Sequence, residues 1–114
     1  MDTELYLQVI FYRTDAGNEP VREWLKSLSR EDRRTIGEDI KTVQFGWPLG
    51  MPLVRKLEAG LWEVRSKLDK RIARVFFTVD EAVMVLLHGF IKKSEKTPTN
   101  DLNLARKRLA TLRS

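Results

Sequence analysis

The sequence predicts a single α+β domain over residues 1–114. Its expected content is an antiparallel sheet, an N-terminal helical hairpin and a C-terminal helix, in the order β-α-α-β-β-β-α. Three observations carry this prediction. Apolar residues alternate in the segment 4–12 and again in three runs between residues 61 and 91, the period of a half-buried strand. Between them, apolar residues recur at helical spacing behind two helix-start signals. The connections between the last three strand runs are short enough for hairpins.

The first strand rests on ELYLQVIFY (4–12), where Leu5, Leu7, Val9 and Phe11 alternate. TDAGN (14–18) is turn chemistry, after which Asn18 suits an N-cap and Pro20 a first helical turn. Val21, Trp24, Leu25 and Leu28 give a short first helix. Ser29 with Asp32 resembles a capping box for a second helix, whose buried stripe is Ile36, Ile40 and Val43. That helix is expected to stop before Phe45-Gly46-Trp47-Pro48. Residues 46–60, with Gly46, Pro48, Gly50, Pro52 and Gly60, are expected to be a connecting loop. Strands are predicted at 61–67, 72–79 and 83–91, and a last helix over 100–112 with Thr99 as N-cap and Leu102, Ala105, Leu109 and Leu112 on one face.

With 114 residues and 42% hydrophobic residues, the chain is long enough for one core. The longest apolar run, 82–87, is far short of the ~20 residues a bilayer crossing needs. Asp2 and Glu4 precede the first strand, unlike a signal peptide, and no cysteine is present for a disulfide or a thiolate site. The expectation is a cytoplasmic protein without membrane association, metal or cofactor.

Residues 1–91 hold 14 Lys/Arg and 14 Asp/Glu, whereas the last 23 residues hold 7 and 2, the whole of the +5 excess. A polyanion is the partner such a distribution suits; a solvated basic helix is the alternative. Sorting strand side chains by face adds detail. Glu63, Arg65 and Lys67 oppose Trp62 and Val64, and Arg74 belongs with Ile72, Phe76 and Thr78 on the more open side of its strand. Neighbouring strands can therefore bring Arg65 and Arg74 together. Met84, Leu86, His88, Phe90 and Lys92 are expected to share a face. A Glu63–Arg65 surface pair would account for one arginine. Arg65, Arg74 and the run Lys92, Lys93, Lys96 together suit phosphate, because guanidinium forks match its oxygens. His88 has no second ligand for a metal; packing is its first expected role, and general acid/base chemistry the second. Trp24 and Trp62 are expected in the core, with Trp47 undecided between core and base stacking.

Four segments in this order carry a resemblance: VIFYRTDAGNEPVREWLKSL (9–28), PLVRKLEAGLWEVRSKL (52–68), RIARVFFTV (71–79) and VLLHGFIKKSEKTPTNDLNLARKRL (85–109). Together they resemble the phage-derived, HigB-like branch of the RelE/ParE toxin superfamily, over nearly the whole chain. The resemblance implies the RelE/ParE-like fold and the toxin of a type II toxin–antitoxin module. It further implies a metal-independent endoribonuclease that cleaves mRNA, often on the ribosome, and a helix-turn-helix, HigA-like antitoxin as partner. By position it implies that Arg74 contacts the scissile phosphate and that Arg65 and Lys93 share its charge. Lys67, Lys92 and Lys96 would hold flanking RNA. Where the best-known RelE toxins carry a C-terminal tyrosine, this sequence has Thr97 and Pro98, which leaves His88 or a lysine of lowered pKa to move the proton. The competing readings are a ParE-type gyrase inhibitor and a non-catalytic relative that binds RNA or only its antitoxin.

Overall fold

The computed structural model describes residues 6–92 and 98–114. In order, the elements are β1 (Gln8–Phe11), α1 (Pro20–Ser27), α2 (Arg30–Gly46), β2 (Val54–Glu58), β3 (Leu61–Leu68), β4 (Arg71–Asp80), β5 (Val83–Lys92) and α3 (Thr99–Arg113). Lys93 and Lys96, two of the expected site residues, lie outside the described residues.

The strands form one five-stranded sheet in the order β1-β5-β4-β3-β2. β2 to β5 make an antiparallel meander, of which the short connections predict the β3–β5 part, and β1 joins β5 in parallel. The sheet is therefore mixed. Between β1 and the rest run the two helices, a connection long enough for a parallel neighbour. α1 and α2 cover one face, so that Val21, Ile36, Ile40 and Val43 meet Val64, Val75, Phe77, Met84 and Leu86. α3 covers part of the other, where Ala105 and Leu109 meet Phe76, Val85 and Leu87. Leu112, expected on the same stripe, is exposed. Ion pairs tie the layers: Arg71 to Asp32 at 2.7 Å joins β4 to α2, and Arg106 to Glu58 at 2.6 Å joins α3 to β2.

Several boundaries differ from the sequence reading for local reasons. Ser29 caps α2 as expected, its hydroxyl accepting from the Asp32 N–H at 3.1 Å. Asn18 does not cap α1; its N–H donates to Thr14 Oγ1 at 3.1 Å and closes the preceding turn, leaving Glu19 at the cap position. α3 begins at Thr99, with Pro98 rather than Thr99 as its cap residue. α2 runs on through Phe45 and Gly46 and ends only where Pro48 forces Trp47 out of the helical region.

The expected loop at 46–60 contains β2. Its two basic residues and the surrounding Gly and Pro hide a short strand at the sheet edge, where charge and brevity discourage further pairing. The other correction lies in β5. The β4–β5 register slips between Phe76, which faces His88, and Phe77, which faces Leu86. Leu87 is thus bulged, and the alternation changes phase there. Met84 and Leu86 face the helical hairpin, while His88, Phe90 and Lys92 come to the α3 side, contrary to the single face expected for all five. Arg108 of α3 donates to the bulged Leu87 carbonyl at 2.7 Å.

After the bulge, Gly89 faces α1 so closely that a Cβ would stand 2.4 Å from the Trp24 ring. Trp47 packs edge-on against Trp62 at 5.1 Å and Phe77 at 5.6 Å, so all three tryptophans belong to the apolar side. Replacing Gly89 with Ala is expected to destabilise the fold by about 1–3 kcal/mol, the usual effect of an added methyl where neither backbone nor ring can yield. A urea denaturation midpoint equal to wild type would contradict this packing.

Candidate functional site

One end of the sheet face not covered by the helical hairpin carries charge instead of apolar side chains. The register explains why. Arg65 of β3 stands directly opposite Arg74 of β4, and Glu63 stands opposite Phe76 on one side and Arg55 of β2 on the other. Arg74 in turn faces Phe90 of β5, and Ile72, one same-face step along, faces Lys92. Without the β5 bulge Lys92 would point to the hairpin side. The bulge delivers it to the arginines.

Glu63 is the centre of this group. It is completely buried, and its carboxylate lies 3.3 Å from Arg74 Nη1 and 3.9 Å from Arg65 Nε. The surface Glu63–Arg65 pair expected from sequence is thus a buried contact in which Arg74 is the nearer partner. Arg74 itself is not on an open side: its side chain is 2% exposed, because β4 is the middle strand and its flanking strands close around it. Arg65 keeps 27% exposure. Lys92 is 6% exposed, and its Nζ is buried without a hydrogen-bond partner among the described residues.

The electrostatics follow from this geometry. Burial holds the Arg74 guanidinium below its ordinary pKa; Glu63 opposes the shift, and Arg65 and Arg55 add to it. Burial likewise lowers the Lys92 ammonium, reinforced by Arg74, Arg55 and Arg65 and countered by Glu63. Among the described residues, four cationic side chains therefore gather around one carboxylate. An arrangement with this surplus favours a second anion, and a tetrahedral oxyanion matches guanidinium and ammonium donors.

Residues 23–110 match the family of the phage-derived protein Gp49-like (DUF891). The chain belongs to that family. It is a RelE/ParE-like toxin family. A comparison with curated proteins returns no match.

In this Gp49-like chain the expected site residues separate into three groups. Arg65, Arg74 and Lys92 are brought together. Lys67 is exposed beside them, lining with Arg65, Ile72, Pro52, Leu53 and Asp39 a groove of about 460 Å³. His88 is engaged elsewhere: its Nε2 lies 2.5 Å from Asp101 Oδ1 of α3, and its ring stacks on Phe90. That is the packed, hydrogen-bonded role expected first for it. No group of His, Asp and Glu among the described residues could hold a metal ion. No helix among them is long and apolar enough to cross a membrane.

Arg55 is the member that sequence reasoning missed. It went unseen because its strand was read as loop. The signal was VRKLE and LWEVR on either side of Ala59-Gly60, a hairpin pattern in which Gly60 takes φ +78°. Asp101 gave no comparable signal.

The unpartnered Lys92 ammonium opposes folding, and replacing it with Met should raise stability at neutral pH by about 1–3 kcal/mol. Because the Lys92 pKa is depressed in the fold, the unfolded chain binds the extra proton between that value and the ordinary lysine value. Wild-type stability therefore rises with pH across that window, and the advantage of Lys92→Met narrows. Thermal melts over a pH series check this; a lower midpoint for Lys92→Met at every pH would contradict it.

Proposed function

We propose that this protein is the toxin of a type II toxin–antitoxin module and a metal-independent endoribonuclease that cleaves mRNA, acting on the ribosome. The observation that supports this most is the cluster of Arg55, Arg65, Arg74 and Lys92 about the single Glu63 carboxylate. Membership of a RelE/ParE-like toxin family supports the module, and with it an antitoxin partner, for which we propose a helix-turn-helix, HigA-like protein.

In this reading the ribose 2′-hydroxyl attacks the adjacent phosphorus and the 5′-oxygen leaves, giving a 2′,3′-cyclic phosphate. Negative charge grows on the phosphoryl oxygens during that step. Preorganised cations in a site shielded from water stabilise it strongly, with no reorganisation at the moment of reaction. Arg65, the more accessible arginine of the pair, meets the phosphate. Arg74 stabilises its charge from beneath, and Lys93 adds to it. Lys67 and Lys96 hold the flanking backbone, Lys67 along the groove it shares with Arg65.

Induction in cells should stop growth and leave mRNA fragments bearing 2′,3′-cyclic phosphate ends, detectable by mass spectrometry. Arg65→Ala or Arg74→Ala should lower the cleavage rate by ~10²–10³ fold, as loss of one oxyanion donor does. Growth arrest with intact mRNA and inhibited gyrase would contradict the proposal, as would undiminished cleavage by Arg74→Ala.

A further inference from the structure

The groove beside Arg65 combines apolar, cationic and acidic side chains at the end of the sheet. β2 begins opposite Val64, so β3 projects past it as far as Leu68, and Lys67 in that stretch pairs with Ile72 of β4. The chain entering β2 passes this end of the sheet at Pro52 and Leu53, where the Leu53 carbonyl accepts from the Arg65 N–H at 2.9 Å. α2 contributes Asp39. The groove of about 460 Å³ that results is lined by apolar Pro52, Leu53 and Ile72, by the cations Arg65 and Lys67, and by the Asp39 carboxylate. Its size falls within the ~300–1,000 Å³ of small-ligand sites. Asp39 is half-buried, yet its carboxylate makes no hydrogen bond or ion pair among the described residues, not even with Lys67 in the same groove.

We propose that this groove holds the base of a nucleotide adjoining the scissile phosphate and that Asp39 selects guanine there; this rests on the RNA-cleavage reading above. A nucleobase has an apolar face and a polar edge. Pro52, Leu53 and Ile72 offer apolar surface to the face, while Arg65 and Lys67 hold the backbone and so fix the base in the groove. The edge then meets Asp39. An ionised carboxylate only accepts hydrogen bonds, so it favours the base that presents donors side by side. Guanine does so with its ring N1–H and its exocyclic N2 amine, which the two carboxylate oxygens accept together. Adenine and cytosine set one amine beside an acceptor nitrogen, and uracil sets one N–H between two carbonyls. Each of these turns a lone pair toward the carboxylate and leaves a polar group badly paired. A carboxylate also repels the RNA backbone, so its place beside two phosphate-binding cations is favourable only toward a donor. α2, β3 and β4 carry Asp39, Arg65 and Ile72, so the base is read from regular elements rather than from a mobile loop.

The experiment sequences the ends of mRNA fragments produced in a translation extract by the full chain, by Asp39→Ala and by Asp39→Asn. The wild type is expected to cut beside guanine on the order of 10–100 fold more often than beside the other bases, the discrimination one bidentate side chain–base pair supplies. Asp39→Ala should lose that preference. Asp39→Asn should lose it and favour adenine or cytosine, because an amide presents one acceptor and one donor, the complement of an amine beside a ring nitrogen. A purely structural role for Asp39 would not change which base is chosen. Each preference is a ratio within one reaction, so a variant of lower stability or overall rate still reports it. A wild type that cleaves without preferring guanine, or either variant that keeps the wild-type preference, would overturn this assignment and leave the RNA-cleavage reading standing. A wild type that does not cleave would overturn that reading and this assignment with it.

Discussion

A single buried carboxylate holds the working face of this molecule together. Among the described residues, Glu63 is the acid that acts on both Arg74 and Lys92, and it has no access to solvent. Placing Arg65 directly opposite Arg74 on adjacent strands is destabilising by itself, since like charges at paired positions repel. Glu63, one same-face step from Arg65, lies within 4 Å of both. Its charge permits two arginines to be held close and rigid without a ligand. It does not neutralise the group, and the remaining positive charge is what an incoming anion would meet.

The fold supplies this arrangement through one irregularity. A regular β5 would have sent Lys92 toward the apolar layer beneath the helical hairpin. The bulge at Leu87 changes the phase, and Arg108 satisfies the carbonyl it exposes. The phase change also turns Gly89 toward α1, where the absence of a side chain lets Trp24 lie against the strand. Packing on one face and charge on the other thus depend on the same displaced residue. α3 covers only part of the second face, so apolar and cationic regions lie side by side on it.

Much of this was legible in the sequence. Period-two patterning located β3, β4 and β5 to within a residue, and helical spacing found the buried stripe of α2, because both patterns report burial directly. Strand parity allowed Arg65 and Arg74 to share a surface, and the register makes them direct partners. Three features did not follow. β2 is short, basic and set among Gly and Pro, so propensity argued against it, and Arg55 was lost with it. The bulge has no marker in the alternation of Val83 to Leu87, where both faces are apolar, and the parity count ran straight through it. Burial of Arg74 and Lys92 is a property of neighbours in space, which total charge does not encode; the sequence offered Lys92 as one more member of a phosphate-binding lysine run.

The central claim is that Glu63 holds the cations together and leaves a surplus that a second anion would offset, and it is tested most directly by Glu63→Gln with thermal melts in rising inorganic phosphate. Removing one partner of a buried ion pair leaves uncompensated charge and typically costs about 3–5 kcal/mol. The account predicts a large drop in the melting temperature of Glu63→Gln, and a phosphate-dependent recovery steeper than any effect of phosphate on wild type. A variant as stable as wild type and indifferent to phosphate would contradict it.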